Sequence, residues 1–150
     1  MLDTELTNQA TSREDADVPA NFETECLFCE LPEEKFEVID ENDLCMTLRD
    51  SYPVTEGHCL IIPRRHVDNY FDMNPPEVAA ATELMHRARK RLQTEDPTIS
   101  GFNIGTNAGK SAGQSVFHAH IHFMPRRDGD QENPQGGVRK IFPEKARYRK

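Results

Sequence analysis

Three histidines alternate with apolar residues in Phe117-His118-Ala119-His120-Ile121-His122-Phe123, and no other stretch constrains the chain so tightly. Side chains along a strand point to opposite faces in turn, so the pattern predicts a strand over 117–124. Phe117, Ala119, Ile121 and Phe123 would enter the core. The imidazoles would stand in a row on the other face, about 7 Å apart. A half-buried strand needs polar residues outside, but three imidazoles are a chemical choice, because this ring serves metal binding, proton transfer and nucleophilic attack. Two chemistries fit. The row could grip one cation, as at a catalytic zinc with an open position. Alternatively, one neutral ring attacks while its neighbours bind and protonate an anionic substrate. The preceding segment, Asn107-Ala108-Gly109-Lys110-Ser111-Ala112-Gly113-Gln114-Ser115, favours the second. Its glycines, amides and hydroxyls let backbone N–H groups approach a phosphate.

The rest of the chain reads as α+β. Phe36–Asp40 and Leu44–Arg49 form two strands around the turn-rich Glu41-Asn42-Asp43, and His58–Pro63 a third. A helix is predicted over Pro75–Gln93, with Asn74 as cap, Pro75 at the first position and Glu77 closing a capping box. Val78, Ala81, Met85, Ala88 and Leu92 share one face of it, and His86 lies on the solvated side. Gly101–Asn107 is a fourth strand. Hairpins with one helix predict an antiparallel sheet.

With 150 residues the chain fits one domain with tails. Residues 1–20 are acidic, without periodicity, and read as a disordered arm; 21–127 form the body; 128–150 form a basic tail that either docks on the body or faces an anionic substrate. The formal charge of −8 argues against nucleic acid as the main partner. Apolar runs such as Cys59–Ile62 are far shorter than the ~20 residues a membrane helix needs, so no membrane partner is expected. No export leader is visible, which predicts a reducing, cytoplasmic setting. There Cys26-Leu27-Phe28-Cys29 reads as metal or redox chemistry rather than as a disulfide, and the redox reading lacks its βαβ surroundings. Cys45 and Cys59 sit among apolar strand residues and read as buried packing.

The stretch G-Q-S-V-F-H-A-H-I-H-F-M-P-R closely resembles the signature of the histidine triad (HIT) family of nucleotide hydrolases and transferases, whose pattern is His-φ-His-φ-His-φ-φ with φ apolar. The similarity runs over roughly 25–127, through Asp50, G-H-C-L-I-I-P-R-R-H and the C-x-x-C. The tail, with N-P-Q-G-G-V-R, looks like that of prokaryotic members near the dinucleoside polyphosphate hydrolases. The resemblance implies the HIT fold: a five-stranded antiparallel sheet with one long helix, in a homodimer joined through the helix and a strand. It implies that His120 attacks the α-phosphorus of a nucleotide, diadenosine tetraphosphate leading, and that water then cleaves the nucleotidyl-histidine. His122 would bind phosphate oxygens, and Gln114 and Ser115, beside Gly113, would hold the phosphate and leaving group. Asn107 would contact phosphate and ribose, and Asp50 the ribose hydroxyls. His58 would flank the phosphates or serve as a structural histidine. A full triad argues against the transferase branch, where the last position is usually glutamine. The alternatives are a nucleoside phosphoramidate or aminoacyl-adenylate hydrolase, and a non-enzymatic nucleotide-binding regulator. The resemblance also supplies partners for the C-x-x-C: Cys26, Cys29, His66 and His118 would bind a structural Zn2+, with no organic cofactor implied.

Overall fold

The computed structural model describes residues 22–148, so the acidic arm assigned to 1–20 lies outside the described residues. A one-turn helix, α1 (Leu27–Glu30), precedes β1 (Val38–Glu41), β2 (Cys45–Arg49) and β3 (Cys59–Pro63); then come α2 (Pro75–Glu95), β4 (Ile99–Thr106) and β5 (Ile121–Arg127). The five strands form one sheet in the order β1-β2-β3-β5-β4, every neighbouring pair antiparallel. The α+β architecture expected from the sequence is therefore the one observed.

Local chemistry explains the elements. Asn42 closes the first hairpin, its Oδ1 accepting the Leu44 and Cys45 amides, and its Nδ2 donates to the Ala80 carbonyl of α2 at 2.9 Å. The capping box of α2 is present: Asn74 Oδ1 accepts the Glu77 amide and Glu77 Oε1 accepts the Asn74 amide, both at 2.9 Å. The helix buries Ala81, Leu84 and Ala88 against Cys45, Cys59, Ile61, Ile121 and Phe123 on one sheet face. Met46, Leu48, Leu60 and Ile62 point to the other face, which Phe28 of α1 covers. Apolar cover on both faces is why β3 reads as an unbroken apolar run.

The triad strand departs from its predicted span. Ordered pairing begins at Ile121, and the chain bends over Val116–His118. The Ala119 amide donates to the Val67 carbonyl at 2.8 Å, so this stretch is tied to the 66–68 loop rather than to β4. Phe117 is consequently exposed instead of core. The tail folds into two 3-10 turns, Gly137–Ile141 and Pro143–Lys145, with Gly137 against the Asn103 side chain of β4. Two of its cations are engaged within the tail: Arg139 donates to the Lys145 carbonyl and lies 4.6 Å from the Tyr148 ring centre, and Lys140 donates to Gln131 and Asn133.

Glu77 is 2% exposed and makes a two-pronged ion pair with Arg65, at 2.9 and 3.1 Å. Burial pushes its carboxyl up, but the Arg65 guanidinium and the Asn74 amide outweigh this and hold it below its ordinary 4.5. A depressed carboxylate stabilises the fold fully above that value and loses its contribution as pH falls through the folded value. Glu77→Gln should cost about 1–3 kcal/mol at neutral pH. In urea melts the gap to wild type should close as pH falls below 4.5.

Candidate active site and metal centre

The bend before β5 gives each triad histidine a different environment. His118 is fully buried; its Nε2–H donates to the Pro63 carbonyl at 2.8 Å, which leaves the Nδ1 lone pair facing two thiols. Burial, with His66 and His120 nearby, outweighs the Pro63 hydrogen bond and lowers its pKa to about 4, so the ring is neutral. His120 is 8% exposed, and its Nδ1–H donates to the His118 carbonyl at 2.9 Å. In the neutral ring that bond fixes the tautomer and puts the free electron pair on Nε2. Thr106 Oγ1–H donates to the His120 carbonyl at 2.7 Å, and the Phe28 ring packs edge-on, 5.1 Å between centres. His122 is more open, its side chain 27% exposed, with its ring 5.3 Å from that of His120. Gly105 pairs with His122 across the sheet, and nothing lies within 4 Å of where a Cβ would stand, so β4 leaves room beside this ring.

Behind His122 lies a second polar group. His58 Nε2 is 3.0 Å from His122 Nδ1 and 3.3 Å from Asp50 Oδ2, while Asp50 Oδ1 accepts the Tyr52 amide at 2.7 Å. Burial lowers the pKa of both His58 and His122, although the Asp50 carboxylate opposes the shift.

Cys26, Cys29, His66 and His118 converge. Cys26 Sγ is 3.6 Å from His118 Nδ1, and Cys29 Sγ is 3.5 Å from His118 Nδ1 and 3.3 Å from His66 Nδ1. Zinc bonds of about 2.3 Å to sulfur and 2.0–2.1 Å to nitrogen, at tetrahedral angles, place such atoms roughly 3.5 Å apart. The donor set therefore fits that ion. His66 Nε2 faces Asp68 at 3.7 Å and Glu23 at 4.0 Å, the carboxylate backing common behind metal-bound histidines. Asp50, His58 and His122 are also spaced for a cation. However, the Val54 amide donates to His58 Nδ1 at 3.1 Å, so that nitrogen carries no proton. A neutral histidine bound through Nε2 carries its proton on Nδ1, which would put two donors face to face. The triad does not share an ion either, since both ring nitrogens of His118 are engaged elsewhere.

The loop before the triad is closed on itself. The amides of Ala112 and Gln114 donate to the Gly109 carbonyl, and that of Gly113 to Lys110. Gly109 and Gly113 have φ of 98° and 92°, the conformation that favours glycine. Gln114, expected to grip phosphate, is 4% exposed and fully engaged: its Nε2 donates to the Asp68 and Val116 carbonyls, and its Oε1 accepts the Gly109 amide. Its amide has no proton left for a ligand, so in this arrangement it holds the loop. Asn107 is half-buried and Gly113 and Ser115 are exposed. Sequence reasoning missed Thr106, Val54 and the role of Phe28. Only Phe28, inside the C-x-x-C, carried a signal.

A model of the HIT domain matches residues 32–129. The chain is 34% identical over 112 residues to a HIT-like protein of Saccharolobus solfataricus, covering 71% of this chain and 78% of that one. It is 33% identical over 117 residues to adenylylsulfatase HINT3 of Arabidopsis thaliana, covering 74% of this chain and 57% of that protein. Among solved structures, a zinc-bound histidine triad family protein of Mycobacterium smegmatis superposes with a TM-score of 0.64 at 33% identity, over 73% of this chain and 80% of that one. No helix among the described residues is long and apolar enough to cross a membrane.

Proposed function

The chain belongs to the HIT-domain family, and on that premise we propose that it is a nucleotidyl hydrolase that uses His120 as nucleophile. The observation that carries the reading is the His120 Nδ1–H bond to the His118 carbonyl, which in the neutral ring puts the free electron pair on Nε2. In the first step Nε2 attacks the α-phosphorus, the N–P bond forms and the bond to the leaving group breaks. In the second, water adds to the phosphorus, the N–P bond breaks and a nucleoside monophosphate departs. Covalent catalysis of this kind splits one hard displacement into two easier ones. His122, the more open ring, hydrogen-bonds the phosphate oxygens, and Asp50 receives the ribose hydroxyls. The leading substrate is a dinucleoside polyphosphate. The HINT3 relative's name, adenylylsulfatase, favours a second reading, an adenylate carrying a small leaving group. A reducing, cytoplasmic setting goes with either, since the Cys26 and Cys29 thiols stay available as ligands there.

The test is a product assay with diadenosine tetraphosphate, adenosine phosphoramidate and adenylyl sulfate. Wild type should convert the tetraphosphate to AMP and ATP, and His120→Ala should lose at least about a thousandfold. Cleavage of only the small-group adenylates would move the substrate class to the second reading. AMP binding without turnover of any of the three would favour a regulatory binding protein.

Cys26, Cys29, His66 and His118 are proposed to hold a structural zinc that ties the N-terminal segment to the histidine segment. Support comes from the sulfur–nitrogen spacings of 3.3–3.6 Å. When bound, the ion crosslinks and takes no part in the chemistry at phosphorus. Elemental analysis should find about one zinc per chain. Cys29→Ser should lose it and melt at a lower temperature.

A homodimer is also proposed, joined through α2 and β4. β4 is an edge strand, and Met85, His86, Phe102 and Ile104 line a groove beside it, with Ile104 47% exposed. Light scattering should give twice the chain mass, falling to one chain in Ile104→Glu.

A further inference from the structure

His58 stands behind His122, out of the row of triad rings, and its hydrogen bonds admit one assignment of protons. The Val54 amide can only donate, and it points at His58 Nδ1 from 3.1 Å. That nitrogen is therefore the acceptor, and in the neutral ring the proton sits on Nε2. His58 is 3% exposed, and its burial keeps the ring neutral. The nearest acceptor to that proton is His122 Nδ1 at 3.0 Å, with Asp50 Oδ2 next at 3.3 Å. A proton on His122 Nδ1 would set two N–H groups against each other at that distance, and its alternative acceptor, Asp50 Oδ2, is 3.9 Å away, beyond a hydrogen bond. His122 must therefore accept at Nδ1 and carry its own proton on Nε2.

We propose that His58 is a positioning residue that holds His122 in the Nε2–H tautomer, so that His122 meets a phosphate oxygen as a neutral hydrogen-bond donor. The inference rests on the nucleotidyl-hydrolase reading for its consequence, though not for its geometry. Two rings on one strand are thereby set to opposite tautomers by different partners. The His118 carbonyl draws the His120 proton to Nδ1, leaving an electron pair at Nε2 for attack. The His58 N–H occupies His122 Nδ1, leaving a proton at Nε2 for the oxygen whose charge grows as the bond forms. Without His58, the Nδ1–H tautomer of His122 becomes available, and that form offers phosphate a lone pair and repulsion.

The test compares His58→Gln with His58→Phe in the full-length, zinc-loaded protein. Both variants lose the acceptor for the Val54 amide and share whatever structural damage follows, but only glutamine keeps an N–H where His58 Nε2 stood. Nitrogen-15 spectra of labelled histidine should show His122 protonated at Nε2 in wild type and in His58→Gln, and shifted toward Nδ1–H in His58→Phe. On the cleaved substrate, kcat of His58→Phe should fall about ten- to a thousandfold below that of His58→Gln, with KM within about threefold. Nδ1–H on His122 in wild type would overturn the proposal, even if a variant fails to fold. So would an Nε2–H tautomer retained in His58→Phe, or equal kcat values in the two variants. If wild type turns over no nucleotide, the hydrolase reading fails, and the wild-type spectrum still decides the tautomer.

Discussion

His118 is the point on which the site depends. One residue faces three ways: its Nε2–H binds the Pro63 carbonyl at the end of β3, its Nδ1 faces the Cys26 and Cys29 thiols, and its own carbonyl accepts the His120 proton. Orientation of the His120 ring thus hangs on the backbone of a residue whose own ring is anchored to two other parts of the chain. The ring can serve all these bonds because burial keeps it neutral. A protonated ring would have no lone pair for the proposed metal centre. It would also place an uncompensated charge beside His66 and His120, which is costly at that depth.

The same economy governs the loop and the outer ring. Gln114 uses every amide proton to hold its loop, and the loop's own amides close a 3-10 turn. Catalytic groups that must not move are held by neighbours whose hydrogen bonds are already complete. Rings positioned in this way give up little orientational freedom on meeting a ligand.

Much of the fold was legible in the chain. The α2 cap, the first hairpin turn and the apolar β3 run depend on local bonds or periodicity, and each appears where the residues predict it, within a few positions. The start of β5 was not legible. Alternation from Phe117 onward looks like continuous strand, yet His118 is drawn to thiols and a carbonyl far away in sequence, and the chain bends to satisfy them. Phe117 is exposed as a result. A period-two pattern shows which residues differ in kind, but long-range polar bonds decided here where the pleat begins.

The sequence by itself determined the inventory: three alternating imidazoles, a C-x-x-C with two further histidines, an antiparallel sheet with one helix, and membership in a family. Those follow from residue type and spacing, which travel with the chain. Only the tertiary structure decided what each imidazole is. Its tautomer depends on which carbonyl or ring stands at hydrogen-bond distance, and those partners are the Pro63 carbonyl of β3, the His118 carbonyl and the His58 ring just before β3. His118 turns Nδ1 to two thiols, His120 holds Nδ1 on a carbonyl and His122 sets Nδ1 against the His58 ring, because different neighbours stand beside each ring.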